Sequence, residues 1–357
     1  MRVIISAGGT GGHIYPAIAI IEKIMSKDKN SKILYIGTTD RMEKDIIPNM
    51  GIDYEGINVS GLSKNPIKCV KSVYLMSKNI GYCKKIIKKF KPDIVIGVGG
   101  YVTVPVILAA HKLGVKTILH EQNSRPGKAN KLLSRYADVV CVSMEDSKEY
   151  FKKEVVYTGN PRAEEAHKAL KADKKKYGLR DDKKLVLITT GSLGATTVNN
   201  VVKDMLPMFK NKDYDVLFVT GSKSYNDYKK IKCSSNVHIV PYIDNMPEVM
   251  KVTDLIISRA GATTLSEITA LGIPSILIPS PYVENNHQVI NAKSLEKNEA
   301  TIMIEEKNLT TELLFSTIND ILSNKELYKK LKSNSKKMGM PNSATNIYKE
   351  IEKVISR

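Results

Sequence analysis

One stretch constrains this chain more than any other: its opening segment, Arg2 to His13, RVIISAGGTGGH. Val3, Ile4 and Ile5 form a short apolar run of the kind that makes a buried strand. Four glycines (Gly8, Gly9, Gly11, Gly12) then surround Thr10, and Ile14, Ala17, Ile18, Ile21 and Ile24 follow at helical spacing. Strand, glycine turn and helix in that order aim unpaired N–H groups and the positive end of a helix dipole at one point, which suits an anion. Glycine lets the turn reach positive φ and an oxygen-rich ligand approach the backbone. The string holds neither GxGxxG nor Gly-Lys-Ser/Thr, so it is neither a dinucleotide fingerprint nor a P-loop. His13 adds a titratable side chain at the helix start.

The same unit recurs along the chain. Lys32 to Gly37, Asp53 to Val59, Ile94 to Val98, Lys116 to His120, Val139 to Val142 and Val155 to Thr158 read as further strands. Between them, helices are predicted from Arg41 to Met50, from Pro66 to Phe90 and from Val104 to Leu113. Ile94 to Val98 feeds a second glycine loop, Gly97 to Tyr101, and Lys116 to His120 opens into HEQN, His120 to Asn123. After the turn Gly159-Asn160-Pro161 comes a polar, lysine-rich stretch to Asp182 that reads as a domain boundary. The pattern then restarts: Lys184 to Thr189, the loop Gly191-Ser192-Leu193-Gly194-Ala195, and a helix from about Val198. Strands follow at Asp215 to Thr220, Val237 to Val240, Leu255 to Ser258, Pro274 to Ile278 and Thr301 to Ile304, with an amphipathic helix from Asn342 to Arg357. Alternating strands and helices imply parallel sheets covered on both faces, with ligands at the carboxyl ends of the strands. The expected fold class is α/β, as two doubly wound domains: residues 1–162, residues 163–341, and a final helix 342–357 packing back towards the first.

With 357 residues, each half is long enough for its own core. Cys69, Cys83, Cys141 and Cys233 include no CxxC pair, which implies free thiols in a reducing compartment. The chain starts in a strand, and no apolar run reaches the roughly 18 residues of a membrane span, so a cytoplasmic protein is expected. The net charge of +18 calls for a polyanionic partner or surface. Residues 1–160 carry 25 Lys and Arg against 14 Asp and Glu, the remainder 30 against 23, so the first half is the more basic. No helix-turn-helix, zinc finger or RRM signature accompanies that charge, and no nucleic-acid partner is expected.

In the second half GSLGA offers N–H groups and a hydroxyl for a diphosphate at a helix start. SRAGATTLSE, Ser258 to Glu267, adds an arginine, a glycine turn, two threonines and a carboxylate able to accept both hydroxyls of a ribose. His287 and Gln288 open another helix, placed to grip sugar hydroxyls.

GGTGGHIYPA, GVGGYVTVP, HEQN, GNP, GSLGA and SRAGATTLSE occur over the full length in one family's order and spacing. The chain thus resembles the undecaprenyldiphospho-muramoylpentapeptide β-N-acetylglucosaminyltransferases, the lipid II-forming enzymes of glycosyltransferase family 28. The resemblance implies the GT-B fold, two Rossmann-like domains with the active site in the cleft between them. It implies inverting transfer of GlcNAc from UDP-GlcNAc to the C4 hydroxyl of MurNAc in lipid I, by an enzyme peripheral to the cytoplasmic face of the cell membrane. The donor site then comprises Ser192 with Gly191 and Gly194 at the diphosphate, Ile243 at uracil through its backbone, and Arg259 at the phosphate. Ala262, Thr263, Thr264, Leu265 and Ser266 form its loop and helix start, Glu267 meets the ribose and Gln288 the sugar. Thr10, Gly11, Gly12, Asn123 and Arg162 reach the donor from the first domain, which leaves Gly9, Gly99, Gly100, Tyr101 and His120 for the acceptor. No acidic DxD-type site calls for a metal, so neither a metal site nor a cofactor is expected. Three positions depart from the family pattern: Thr190 replaces a glycine, Arg162 follows GNP directly, and Thr103-Val104 replaces a smaller pair.

The reaction so implied needs a base, and His13 is the candidate most closely attached to an anion loop. It also needs contact with an anionic bilayer. The helix Pro66 to Phe90 is predicted to bury the stripe Cys69, Val73, Met76, Ile80, Cys83, Ile87 and Phe90, leaving Ile67, Tyr74, Leu75 and Tyr82 among lysines. Lys64 to Lys91 holds nine lysines and no acidic residue, which suits such a surface. The competing readings are another GT-B transferase using a UDP-sugar, such as a diacylglycerol glycosyltransferase, and a hydrolysing UDP-GlcNAc epimerase.

Overall fold

The computed structural model describes residues 1–59, 66–191 and 194–357; the side chains of residues 66–71, 73 and 284 lie outside that description, as do Ser192 and Leu193 entirely. The chain forms two compact units, Met1–Arg162 with Asn342–Arg357, and Ala163–Pro341.

In the first unit the strands are β1 (Arg2–Ala7), β2 (Lys32–Thr38), β3 (Asp53–Ile57), β4 (Ile94–Gly99), β5 (Lys116–Glu121), β6 (Val139–Val142) and β7 (Val155–Tyr157). They pair in parallel in the order β3-β2-β1-β4-β5-β6-β7. Successive side chains of a strand point to opposite faces, so an unbroken apolar run buries two cores at once. Val3 and Ile5 of β1 join Ile14, Ile21 and Ile24 of the helix Gly11–Lys27 on one face. Ile4, between them, joins Leu34, Ile36, Ile87 and Ile107 on the other. The C-terminal helix Ser343–Ile355 belongs to this unit, because Ile347, Ile351 and Val354 complete the core on the Gly11–Lys27 face.

The helix Pro66–Phe90 has the bounds its composition suggested. Cys83 and Ile87 are buried in the core, with Met76, Ile80 and Phe90 packed against it, as the apolar stripe requires. Tyr74 and Tyr82 are 67% and 43% exposed. Leu75 is half-buried, and the side chains of Ile67, Cys69 and Val73 lie outside the described residues. The short helix Lys128–Leu133 carries no sequence signal, since six residues are too few for a 3.6-residue period to repeat. Among the described residues no helix is long and apolar enough to cross a membrane.

The second unit holds β8 (Lys184–Thr189), β9 (Tyr214–Val219), β10 (Val237–Val240), β11 (Leu255–Ser258), β12 (Ser275–Leu277) and β13 (Ile302–Met303). Their order is β10-β9-β8-β11-β12-β13, again parallel. In each sheet the order reverses beside its first strand, between β1 and β4 and between β8 and β11. Such a reversal splits the flanking connections to opposite faces and leaves a crevice at the strands' carboxyl ends. The lysine-rich stretch after Asn160 is ordered here: it forms the helix Arg162–Lys168, and Arg180 donates from its backbone N and Nε to buried Asp215, at 2.6 and 2.8 Å. Neither contact is legible from local composition.

Ile351 is fully buried in the same core as Ile5 of β1, 346 residues earlier in the chain. Ile351→Ala should therefore destabilise the first unit by about 2–5 kcal/mol through lost burial and the cavity left behind. Urea unfolding followed by circular dichroism measures this, with Lys353→Ala, on the exposed face, as a near-silent control.

Candidate functional site

At the carboxyl end of β1 the chain turns through Gly8, Gly9 (φ +93°) and Thr10 into the helix Gly11–Lys27. Gly8 N–H donates to the Gly99 carbonyl at 3.2 Å, which ties this turn to the one after β4. The β1–β4 register shifts there: Ser6 pairs with Gly97 but Ala7 with Gly99, a bulge that re-aims the end of β4. Gly99 (φ +121°) and Gly100 (φ +86°) are both left-handed, and a Cβ on Gly100 would stand 2.5 Å from the Gly8 carbonyl oxygen. Thr103 Oγ1 donates to the Gly99 carbonyl (2.8 Å), and Tyr35 OH to the Ala7 carbonyl (3.0 Å).

His13 lies in the first helical turn with its ring against Gly99, where a Cβ would stand 2.6 Å from Cδ2. Its Nδ1 is 3.1 Å from the Gly8 carbonyl oxygen. A carbonyl only accepts, so Nδ1 carries the hydrogen and the neutral ring keeps its lone pair on Nε2. Gly9, Thr10 and Gly12 are exposed, Gly11 half-buried, and the Thr10 side chain makes no cap to the helix.

His120, expected at the acceptor, lies inside the first unit. It is fully buried, with Nε2 donating to the Gly159 carbonyl (3.1 Å) and Nδ1 accepting from Gln122 Nε2 (3.0 Å). Burial pushes its pKa down to about 4, with the Gly159 bond opposing the shift. A neutral, enclosed imidazole bonded on both sides braces the loop. Glu121, which sequence reasoning missed, organises the same loop. At 2% exposure its Oε1 accepts from Asn123 N (3.0 Å) and Nδ2 (3.2 Å), and its Oε2 from Gly127 N (3.1 Å) and Asn130 Nδ2 (2.9 Å). The available signal was a carboxylate at a strand's carboxyl end among amides. Tyr101 is half-buried beside Gly100. Arg162 N–H donates to Asn160 Oδ1 (3.1 Å), and its guanidinium lies 5.9 Å from the Tyr15 ring centroid.

In the second unit Gly191 (φ +97°) and Gly194 (φ +79°) bracket the turn after β8, and Ser192 lies outside the described residues. A Cβ on Gly194 would collide with the Thr220 carbonyl oxygen. Thr190 fastens this turn: its Oγ1 donates to Asn199 Oδ1 (2.9 Å) and accepts from Ala195 N (3.1 Å). The helix Ala262–Leu271 starts after Gly261 with no side-chain cap, so its first N–H groups face the end of β11. Thr263 Oγ1 is buried with no partner among the described residues, whereas Ser266 Oγ donates to the Thr263 carbonyl (2.6 Å). Thr264 is half-buried, Ala262 and Leu265 are buried, and Glu267 sits in the second turn, also buried. The Ile243 side chain is buried, so only its backbone can face a base. Gln288 Oε1 accepts from Ser280 N (2.9 Å), which leaves its amide NH2 as the end that can donate to a sugar oxygen.

Arg259 already has protein partners. Its Nη1 donates to the Ile278 carbonyl (3.0 Å) and pairs with Glu306 at 2.5 Å, the two side chains 13% and 5% exposed. Cation and carboxylate neutralise each other, and the guanidinium ties the loops after β11, β12 and β13 together.

Residues 3–142 match the glycosyltransferase family 28 N-terminal domain and residues 185–347 its C-terminal domain. The chain is 46% identical over 365 residues to a Bacillus cereus UDP-N-acetylglucosamine–N-acetylmuramyl-(pentapeptide) pyrophosphoryl-undecaprenol N-acetylglucosamine transferase, covering 100% of both. The crystal structure of Acinetobacter baumannii MurG superposes with a TM-score of 0.81 at 26% identity, covering 99% of each chain. A UDP-GlcNAc 2-epimerase from Neisseria meningitidis bound to UDP-GlcNAc matches at TM-score 0.66 over 99% of this chain and all of that one, at 17% identity, which is a likeness of fold alone.

The depressed His120 pKa has a defined sign. Above about pH 6.5 the imidazole is neutral folded or unfolded; below it the unfolded chain takes up the proton first. Stability of the first unit should fall as pH drops from about 6.5 towards 4, by roughly 3 kcal/mol in all from this group. Chemical unfolding at several pH values checks this, and His120→Asn should flatten that part of the profile.

Proposed function

The chain belongs to glycosyltransferase family 28, and on that premise we propose that it transfers GlcNAc from UDP-GlcNAc to the MurNAc C4 hydroxyl of lipid I, forming lipid II with inversion. The observation that carries this reading is full-length identity of 46% to a transferase of that name, with both glycine turns and HEQN standing at the carboxyl ends of their strands.

In the reaction the C4 oxygen attacks the anomeric carbon, the bond from that carbon to the phosphate oxygen breaks, and UDP departs with the electron pair. The hydroxyl proton goes to His13 Nε2, whose lone pair the Nδ1 bond to Gly8 maintains. Leaving-group charge is met by the first N–H groups of the helix Ala262–Leu271, with Thr263 Oγ1 as a hydroxyl donor and Ser192 as the contact the family resemblance implies. Thr264 lies in the same first turn, Glu267 accepts the ribose hydroxyls, Ile243 offers its backbone to uracil and Gln288 its amide to the sugar. In the first unit the family resemblance assigns Thr10, Gly11, Gly12 and Asn123 to the donor, and Gly9, Gly99, Gly100 and Tyr101 to the acceptor's diphosphate.

Lipid I stays in the bilayer, so the enzyme docks peripherally on the anionic cytoplasmic face. The helix Pro66–Phe90 is suited to this. Tyr74 and Tyr82 stand exposed, Leu75 is half-buried, and Lys78, Lys85, Lys88 and Lys89 are exposed on the same helix. Each lysine near such a surface contributes about 1 kcal/mol, and the aromatic groups insert shallowly.

Turnover with a lipid I analogue separates the roles. His13→Ala should lower kcat about 10²–10⁴-fold with UDP affinity by calorimetry unchanged. Glu267→Ala should weaken UDP by about 1.5–3 kcal/mol and leave acceptor KM alone. Release of UDP from UDP-GlcNAc without acceptor, at the rate seen with it, would instead indicate an epimerase, and transfer to diacylglycerol in preference to lipid I a different lipid glycosyltransferase.

Docking has its own measurement. Replacing Tyr74, Leu75 and Tyr82 with serine should reduce co-sedimentation with anionic vesicles while activity on a short-chain soluble acceptor persists. Unaltered vesicle binding would assign docking to another surface.

A further inference from the structure

Glu43 is a buried charge for which neither the fold nor the reaction has yet given a reason. It opens the helix Glu43–Asn49 and is fully buried under the β1 turn. A Cβ on Gly8 would collide with its Oε1, and one on Gly37 would stand 2.9 Å from its Cγ. Oε1 accepts from Thr38 N (3.2 Å) and Thr38 Oγ1 (2.8 Å). Oε2 is buried with no partner among the described residues. A dry, unbonded carboxylate oxygen is costly, and a medium-sized apolar side chain would fill the same space without that cost. The charge is felt nearby. The Tyr35 and Tyr54 phenols are both pushed up, by burial first and by Glu43 second.

We propose that Glu43 is a positioning residue for His13, acting through Gly8. The inference rests on His13 being the base. Thr38 holds the carboxylate, the carboxylate fills the space behind Gly8, and the Gly8 carbonyl takes the hydrogen of His13 Nδ1. Seating Gly8 in this way keeps the lone pair on Nε2, where the acceptor's proton arrives. The oxygen without a partner leaves negative charge behind the turn, and that charge favours the imidazolium as it forms. Glutamine in its place keeps the shape and an acceptor for Thr38 but loses the charge; alanine loses both.

A double-mutant cycle on the full chain tests this, with UDP-GlcNAc and a lipid I analogue as substrates. Glu43→Ala should lower kcat about 10- to 100-fold, part of the roughly 10²–10⁴-fold that a positioned base contributes. Donor KM and UDP affinity by calorimetry should not move, and Glu43→Gln should fall between wild type and Glu43→Ala. In a His13→Ala background neither change should cost anything further, because a residue that acts through another has nothing left to act on. Equal losses in both backgrounds would make Glu43 a support of the fold alone and overturn the proposal. Near-normal turnover of His13→Ala by itself would remove the base, and this inference with it. If Glu43→Ala does not fold, Glu43→Gln carries the same cycle.

Discussion

The bond from Gly8 N–H to the Gly99 carbonyl is the contact on which the first unit's site depends. Parallel strands end together at one edge, but nothing in strand pairing fixes the turns beyond that edge. Here the two turns lock each other. Gly8 donates across the switch point, and Gly100 leaves its α-carbon bare so that the Gly8 carbonyl can come close. The bulge that pairs Ala7 with Gly99 aims the accepting carbonyl. His13 is then placed twice over, by its Nδ1 on Gly8 and by its ring on Gly99. Helix, turn and histidine are therefore tied together, which is what the proposed role of His13 as proton acceptor requires.

Both units stabilise their glycine turns by the same device. Thr103 sends its hydroxyl into the Gly99 carbonyl, and Thr190 sends its hydroxyl to Asn199 while accepting from Ala195. These are two of the positions at which the chain departs from its family's sequence pattern. In each case the extra side chain turns inward and supplies a hydrogen bond that a glycine could not, so the surface offered to a ligand remains backbone. Inward-facing substitutions of this kind change how firmly a turn is held more than what it binds.

The sheets, their order of elements and the position of the glycine turns were legible because they follow from local periodicity and from residues with special backbone freedom. The helix Pro66–Phe90 announces itself by an apolar stripe and a proline at its start. Three features of the site were not legible in this way. The burial of His120 depends on Gly159, 39 residues away, and the pairing of Arg259 depends on Glu306, which lies on another strand's exit. Glu43 looks, in sequence, like any solvated residue in a helical first turn. A polar side chain between polar neighbours gives no sign of burial, and only the tertiary contact decides it.

The pairing of Arg259 with Glu306 has a consequence for the chemistry. A free arginine at the diphosphate would grip the bound donor and the departing UDP alike, lowering KM without raising kcat. On the proposed function, with the guanidinium already paired, the anion is met chiefly by N–H groups at the start of the helix Ala262–Leu271. Such dipoles are fixed before the reaction, and their interaction grows as negative charge builds on the leaving oxygen. They therefore favour the transition state over the intact nucleotide sugar. Gly261, just before that helix, is on this reading part of the catalytic apparatus. It keeps side-chain bulk away from the helix start at which backbone hydrogens would reach a phosphate oxygen.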